Sequence, residues 1–221
     1  MEAAKLSRST LADAAYQAVR TLLLDGGRHA PGDKISVEAL TRELGVSRSP
    51  VWSAIARLEA EGIVEVHPRQ GVFLIGFSAE KVQALFEARE ALEGMAARLA
   101  AERIRPEVLT ALSRSLEAQR AILAADDRAR YPEETQRFHG LVTAAAGNPV
   151  IEQQLGRIYA QVAAMCSRHR TTAQLDAHVD DHAALVAALA AGDADRAEAL
   201  SRAHARRLAE AALAGLGSRP E

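Results

Sequence analysis

From Ser78 almost to the C-terminus, apolar residues recur every three or four positions, and alanine fills much of the space between them. This is the period of helices with one buried face. Breaks at Arg105-Pro106, Asp126-Asp127, Gly147-Asn148-Pro149, the polar run 168–172 and Gly192-Asp193 divide the stretch. They predict six helices, at about 79–103, 106–124, 132–146, 149–169, 173–191 and 193–214. Connections this short imply antiparallel neighbours. The chain before Ser78 reads differently. Residues 9–26 form an amphipathic pattern stopped by Gly26-Gly27, and 29–35 read as a turn. A short helix over 36–44 stops at Gly45, and a third from 47 to 61 stops at Gly62. "IVEV" and "VFLI" then read as short strands joined by "HPRQG". The predicted fold is mainly α: an N-terminal winged helix-turn-helix over 1–76, followed over 77–221 by an all-α antiparallel helical bundle.

In such a domain the third helix enters the major groove and the hairpin reaches the neighbouring groove or backbone. The third helix opens with "GVSRSPVW". Ser47 is expected to cap its first N–H groups, and Pro50 is tolerated in the first turn. Val51, Ala54, Ile55 and Leu58 mark the buried face. Arg48 and Ser49 lie off that face, at the positive end of the helix dipole, which suits a phosphate or a base edge. Ser47, Arg48 and Ser49 are therefore candidates to contact double-stranded DNA. Arg69 joins them at the wing tip, beside Gly71, as does Arg57 further along the third helix.

Charge neither adds to this reading nor removes it. The 221 residues carry a net charge of −2, and the first 76 hold nine cations against nine anions. DNA contact must then come from placement of charge, with modest affinity per subunit, which favours a homodimer. A single cysteine, Cys166, excludes an internal disulfide and fits a reducing compartment. No apolar run approaches the ~20 residues of a membrane span, and the N-terminus lacks a signal-peptide core. A cytoplasmic protein with no membrane partner is expected.

The second half carries histidines at telling positions. His182 lies ten residues before Gly192 and His204 twelve after it. At ~1.5 Å per residue, the two come level across an antiparallel hairpin. His139 lies in a helix among apolar neighbours. One such histidine is more often a satisfied core residue. Three that converge make a site for a divalent metal, zinc first, with nickel or manganese as alternatives. His178, one turn before His182 on the same face, is read as a supporting or surface residue in preference to a substitute ligand.

Two resemblances extend these readings. "APGDKIS" and "LTRELGVSRSPVWSAIARLEAEGIVEVHPRQGVFL" resemble the DNA-binding domain of the GntR family of bacterial transcription regulators. The resemblance implies operator binding, with Arg48 on a motif position. The family's usual "VRE" is Val51-Trp52-Ser53 here, so tryptophan replaces an arginine that commonly touches the DNA backbone. Trp52 is read as packing on a sugar or on the wing in preference to the core. Glu38 stands where some members carry a contacting arginine. "FEAREALEGMAARLAAERI", "FHGLVTAAAGNPVI" and "DHAALVAALAAGDADRAEALSRAHARRL" resemble the FCD domain of the FadR-type branch. That resemblance implies a small organic acid as effector, a metal held by His139, His182 and His204, and Arg89 as the effector's arginine. The family's aspartate position falls on Thr135, a weak or absent ligand. Arg89 also stands four residues before Glu93, as in an ordinary intrahelical ion pair.

The reading that follows is a dimeric, effector-responsive transcription regulator and not an enzyme. The same regulator with a metal-free effector pocket is an alternative. A metal-dependent enzyme on the three histidines is the other: a hydrolase needs a general base beside the metal-bound water, and the motif helices offer no carboxylate at a matching position. An enzyme also leaves the N-terminal winged helix unexplained.

Overall fold

The computed structural model describes residues 8–24, 29–30, 32–75, 78–165 and 172–217. They group into two compact units: the N-terminal elements with the end of the seventh helix from Ala160, and the remaining helices. The predicted boundary at Gly76-Phe77-Ser78, the Gly26-Gly27 stop and Cys166 fall wholly or partly outside the described residues.

The first unit runs α1 (Arg8–Leu24), β1 (Lys34–Ile35), α2 (Val37–Leu44), α3 (Arg48–Ala60), β2 (Val64–His67) and β3 (Gly71–Leu74). Local chemistry sets these bounds. The Ser36 hydroxyl accepts the Ala39 N–H at 3.1 Å and starts α2. Gly45, at φ 64°, stops α2 by turning its N–H back to the Thr41 carbonyl. Val19, Leu23, Val51, Ile55, Leu58, Ile63 and Val72 then close one core.

Two details of the sequence reading need correction here. Lys34–Ile35, expected in a turn, pairs antiparallel with β3, giving a sheet in the order β1-β3-β2. Two residues are too few to show a period of two, and only the β3 edge makes them a strand. Ser47 does stand at the N-cap of α3 in extended conformation, but its side chain makes no capping bond. The N3 residue of that helix is Pro50, which has no N–H for the hydroxyl to accept.

The second unit is built from α4 (Ala79–Arg103), α5 (Pro106–Ala124), α6 (Tyr131–Ala145), α7 (Pro149–Met165), α8 (Thr172–Ala190) and α9 (Ala194–Gly217). The sequence pattern places all six within a few residues of these bounds; 166–169, expected to continue α7, lie outside the described residues. The Ser78 hydroxyl accepts the Lys81 N–H, Pro106 opens α5 from its first turn, and Asp193 Oδ1 accepts the Arg196 N–H after Gly192 closes α8 at φ 68°. Helix α4 packs along α9, α5 lies between α6 and α8, and α8 and α9 form the expected hairpin. Close approach of α4 and α9 uses Gly94, where a Cβ would lie 2.7 Å from Arg202 Cγ. Ala97, Ala100, Leu112, Phe138, Leu185, Leu189 and Ala197 fill the core. No described helix is long and apolar enough to cross a membrane.

Candidate functional site

The first candidate surface is the N-terminal end of α3. Ser47, Arg48 and Ser49 are all exposed there. Arg48 Nη2 lies 3.3 Å from Glu38 Oε1, with both side chains well exposed. Trp52 is 44% exposed, so it is not part of the core. Four residues on from Ser53, Arg57 is engaged within its own unit. Its guanidinium lies 3.8 Å above the Tyr16 ring, and its nitrogens reach Asp13 at 3.2 Å and Glu61 at 3.4 Å. The Tyr16 hydroxyl in turn donates to Glu61 at 2.7 Å, and burial with the Glu61 charge pushes its pKa up to about 12. Arg57 thus braces α3 against α1.

The wing turn carries two residues with positive φ. Gly71, at φ 118°, has the Lys34 side chain 3.0 Å from where a Cβ would sit. Exposed Arg69 sits at φ 66°, a conformation that costs a non-glycine residue roughly 1–2 kcal/mol. An arginine kept there despite that cost points to use of its charge. We expect Arg69→Gly to raise the melting temperature by a few degrees while lowering DNA affinity about evenly across sequences. Thermal denaturation beside a DNA titration checks both signs.

The second candidate site lies inside the helical unit. His139 from α6, His178 and His182 from α8, and His204 from α9 are all buried, and one nitrogen of each gathers within 4.8 Å of the others. The six ring-to-ring separations run from 4.4 to 6.3 Å. His182 also stacks on Phe138 at 4.1 Å, which fixes its plane. Of the two roles expected for His178, supporting or surface, its burial excludes the surface one. The i,i+4 spacing puts it on the face of His182, and the packing of α8 turns that face inward.

Each ring is held from outside the group. His182 Nδ1 donates to Gln119 Oε1 at 2.8 Å, and His204 Nδ1 to Asp181 Oδ2 at 2.9 Å. His178 Nδ1 bonds the Tyr131 hydroxyl at 2.8 Å, and His139 Nδ1 lies 3.6 Å from Glu93 Oε1. For His182 and His204 the amide-oxygen and carboxylate acceptors put the proton on Nδ1 and leave Nε2 with the lone pair. Two of the four partners are themselves gripped. Arg89 Nε donates to Glu93 at 2.9 Å, with both side chains nearly fully buried. Arg207 holds Asp181 through two nitrogens, at 2.5 and 3.1 Å. Burial pushes the Asp181 carboxyl up, but the hydrogen bonds from His204 and Arg207 outweigh it and hold the group below its usual value. Burial also pushes His182 well below the ordinary imidazole pKa, reinforced by His139 and His204, and pushes His204 down. Both are neutral at pH 7, the form that binds a metal.

The site fits a divalent cation. The ligand nitrogens of a tetrahedral zinc ion lie roughly 3.4 Å apart, within the 4.8 Å that bounds this group. Buried Nε2 of His182, Nε2 of His204, Thr135 Oγ1, Gln119 Nε2 and Glu93 Oε2 have no hydrogen-bond partner among the described residues. Orphaned buried polar atoms are rare and call for a bound partner. Thr135 stands one turn before His139 on α6 and offers an alcohol in place of a carboxylate. Arg89 makes the intrahelical pair with Glu93, between the rings of Phe86 and Tyr159 at 5.6 and 5.3 Å from their centroids. Its charge is near enough to depress His182 and His204.

Sequence reasoning missed Glu93, Gln119, Tyr131 and Asp181. Only Asp181 and Glu93 left a trace, one beside His182 and the other a turn after Arg89. Two carboxylates do lie near the histidines. Glu93 and Asp181 are there, but on the Nδ1 sides, where they orient rings.

Comparison with known proteins agrees with this architecture. Residues 11–74 match the model for bacterial regulatory proteins of the gntR family, and residues 84–207 match the FCD domain. The chain belongs to the GntR family of bacterial transcriptional regulators, in the branch with an FCD domain, and is not an enzyme. It is 34% identical over 136 residues to an "Uncharacterized HTH-type transcriptional regulator" of Agrobacterium vitis, covering 60% of this chain and 79% of that one. It is 26% identical over 204 residues to the HTH-type transcriptional regulator LutR of Bacillus subtilis, covering 82% and 92%. The structure of McbR/YncC from E. coli has the same fold, with a TM-score of 0.80 at 21% identity over 94% of this chain and 99% of that one.

Proposed function

We propose that this regulator binds operator DNA through Ser47, Arg48, Ser49, Trp52, Arg69 and the Gly71 turn, and that a small organic acid in the helical unit controls that binding. Arg57 is left out of the contact set because its guanidinium braces α1. The division of labour falls near residue 76, with DNA reading before it and effector binding and dimerisation after it. The observation that carries the effector reading is the buried histidine group with its orphaned polar neighbours. His139, His182 and His204 would hold a divalent metal, zinc in the first instance. When bound, the ion supplies a fixed positive charge for a carboxylate.

Charge supports an anionic effector. Glu93 and Asp181 offset the two charges of a divalent ion, but Arg89 and Arg207 pair with both carboxylates. The loaded site keeps a surplus of positive charge in a buried place, where an anion is strongly favoured. The Arg89 guanidinium, whose charge acts on His182 and His204, would take the acid's other end.

A thermal-shift screen of small carboxylic acids, with and without Zn²⁺, tests this reading. A ligand of the folded state raises the melting temperature by mass action, and the active acid should also change operator affinity. If no acid moves either quantity, the effector reading fails. Rising melting temperature with acid alone, equal with and without metal, would favour the metal-free pocket.

The same reading requires a homodimer. A head with balanced charge gives little phosphate attraction, so two symmetric heads must share a palindromic operator. Light scattering at micromolar concentration should give twice the chain mass. A monomer that still binds its operator tightly defeats this.

A further inference from the structure

We propose that His178 is a fourth metal ligand, replacing the carboxylate that Thr135 does not supply, so that four neutral imidazoles surround the ion. The inference rests on reading the histidine group as a metal centre and goes beyond the three-histidine set. Thr135 and His139 stand four apart on α6, and His178 and His182 stand four apart on α8. The second pair repeats the spacing of the first on another helix that contributes to the group. Where α6 offers an alcohol, α8 offers an imidazole. His178 has the marks of the other three: it is buried, its donor nitrogen lies within the same 4.8 Å group, and its Nδ1 is bonded to an outer partner, the Tyr131 hydroxyl at 2.8 Å. The outer nitrogen of His182 is already bonded to Gln119.

Two consequences follow from the ligand chemistry. An all-imidazole set favours zinc, nickel and copper, whereas a carboxylate is what suits manganese and magnesium. The ion is also held without help from the acid, so its retention does not depend on an anion. An ion that accepts five or six ligands keeps positions for the acid. A strictly four-coordinate one is closed by the imidazoles.

The experiment is metal competition against a chromophoric chelator, using the full-length protein and Zn²⁺ or Mn²⁺ in acid-free buffer. Wild type should take up one Zn²⁺ per chain. His178→Ala should weaken Zn²⁺ about 10- to 100-fold, and adding Thr135→Asp to it should recover most of the loss. In the wild-type background, Thr135→Asp should narrow the preference for Zn²⁺ over Mn²⁺. Because His178→Ala can disturb packing around Tyr131, a second measurement uses the unmutated protein. Nitrogen NMR of ¹⁵N-histidine-labelled wild type should show four buried ring nitrogens shifting together on Zn²⁺ addition. If three shift, or if His178→Ala binds Zn²⁺ as wild type does while His182→Ala does not, His178 is no ligand and the three-histidine centre stands. If wild type binds neither Zn²⁺ nor Mn²⁺, the metal centre and this inference fall together.

Discussion

His182→Ala will lose metal more completely than any change outside the four rings. His182 sits at the middle of the group: its ring is 4.4, 5.0 and 5.1 Å from those of His178, His139 and His204. It is stacked on Phe138 and tied to Gln119, which fixes its ring within the group. Loss of an outer partner of a metal-binding histidine typically costs about 10- to 100-fold in affinity. Gln119→Ala should fall in that range, and His182→Ala should exceed it. Competition with a chelator measures both, with circular dichroism to show that the helices persist. Removing the ring also relieves a desolvated imidazole, so the apoprotein should lose less stability than the holoprotein does. If His182→Ala and His204→Ala both retain wild-type metal affinity, the centre is not where the histidines converge.

The second large effect concerns DNA. Arg48→Ala should weaken operator binding more than non-specific binding, because in the proposed binding mode this side chain at the tip of α3 meets a base edge. Loss of one such contact costs ~1–3 kcal/mol of discrimination, or about 5- to 150-fold. Glu38 makes a sharper test possible. Its carboxylate lies 3.3 Å from the Arg48 guanidinium, so it competes with the DNA for that cation and repels phosphate. Glu38→Gln should therefore tighten binding, with the larger gain on non-specific sequence. The two substitutions are expected to move affinity in opposite directions in titrations at matched salt, since these affinities vary steeply with ionic strength. Equal operator affinity for Arg48→Ala and wild type would remove α3 as the reading element.

Much of this molecule was legible from spacing alone. Helical periodicity and the breaks at Pro106, Gly147 and Gly192 are local properties, set by backbone chemistry within a turn or two. They fixed the helices of the bundle to within a few residues, and with them the level placement of His182 and His204. The helix-helix-helix-strand-strand order was equally local, and it placed Arg48 at a helix tip and Arg69 in a hairpin turn. Arg89 and Glu93 were visible as a possible i,i+4 pair for the same reason.

What the sequence could not determine depends on which helix faces meet. The i,i+4 spacing sets His178 on the face of His182, but which way that face turns is decided by the packing of α8 against α5 and α9. Gln119, Tyr131 and Glu93 stand on three different helices, 63, 47 and 46 residues in sequence from the histidines they orient. No spacing rule reaches that far. The two-residue β1 is a strand only because β3 runs beside it, and Arg57 is withdrawn from the candidate DNA surface only because Tyr16 and Asp13 of α1 lie under it. Local free energy chooses the elements. Side-chain environment, and with it the identity of the fourth imidazole, is chosen by packing between elements distant in sequence.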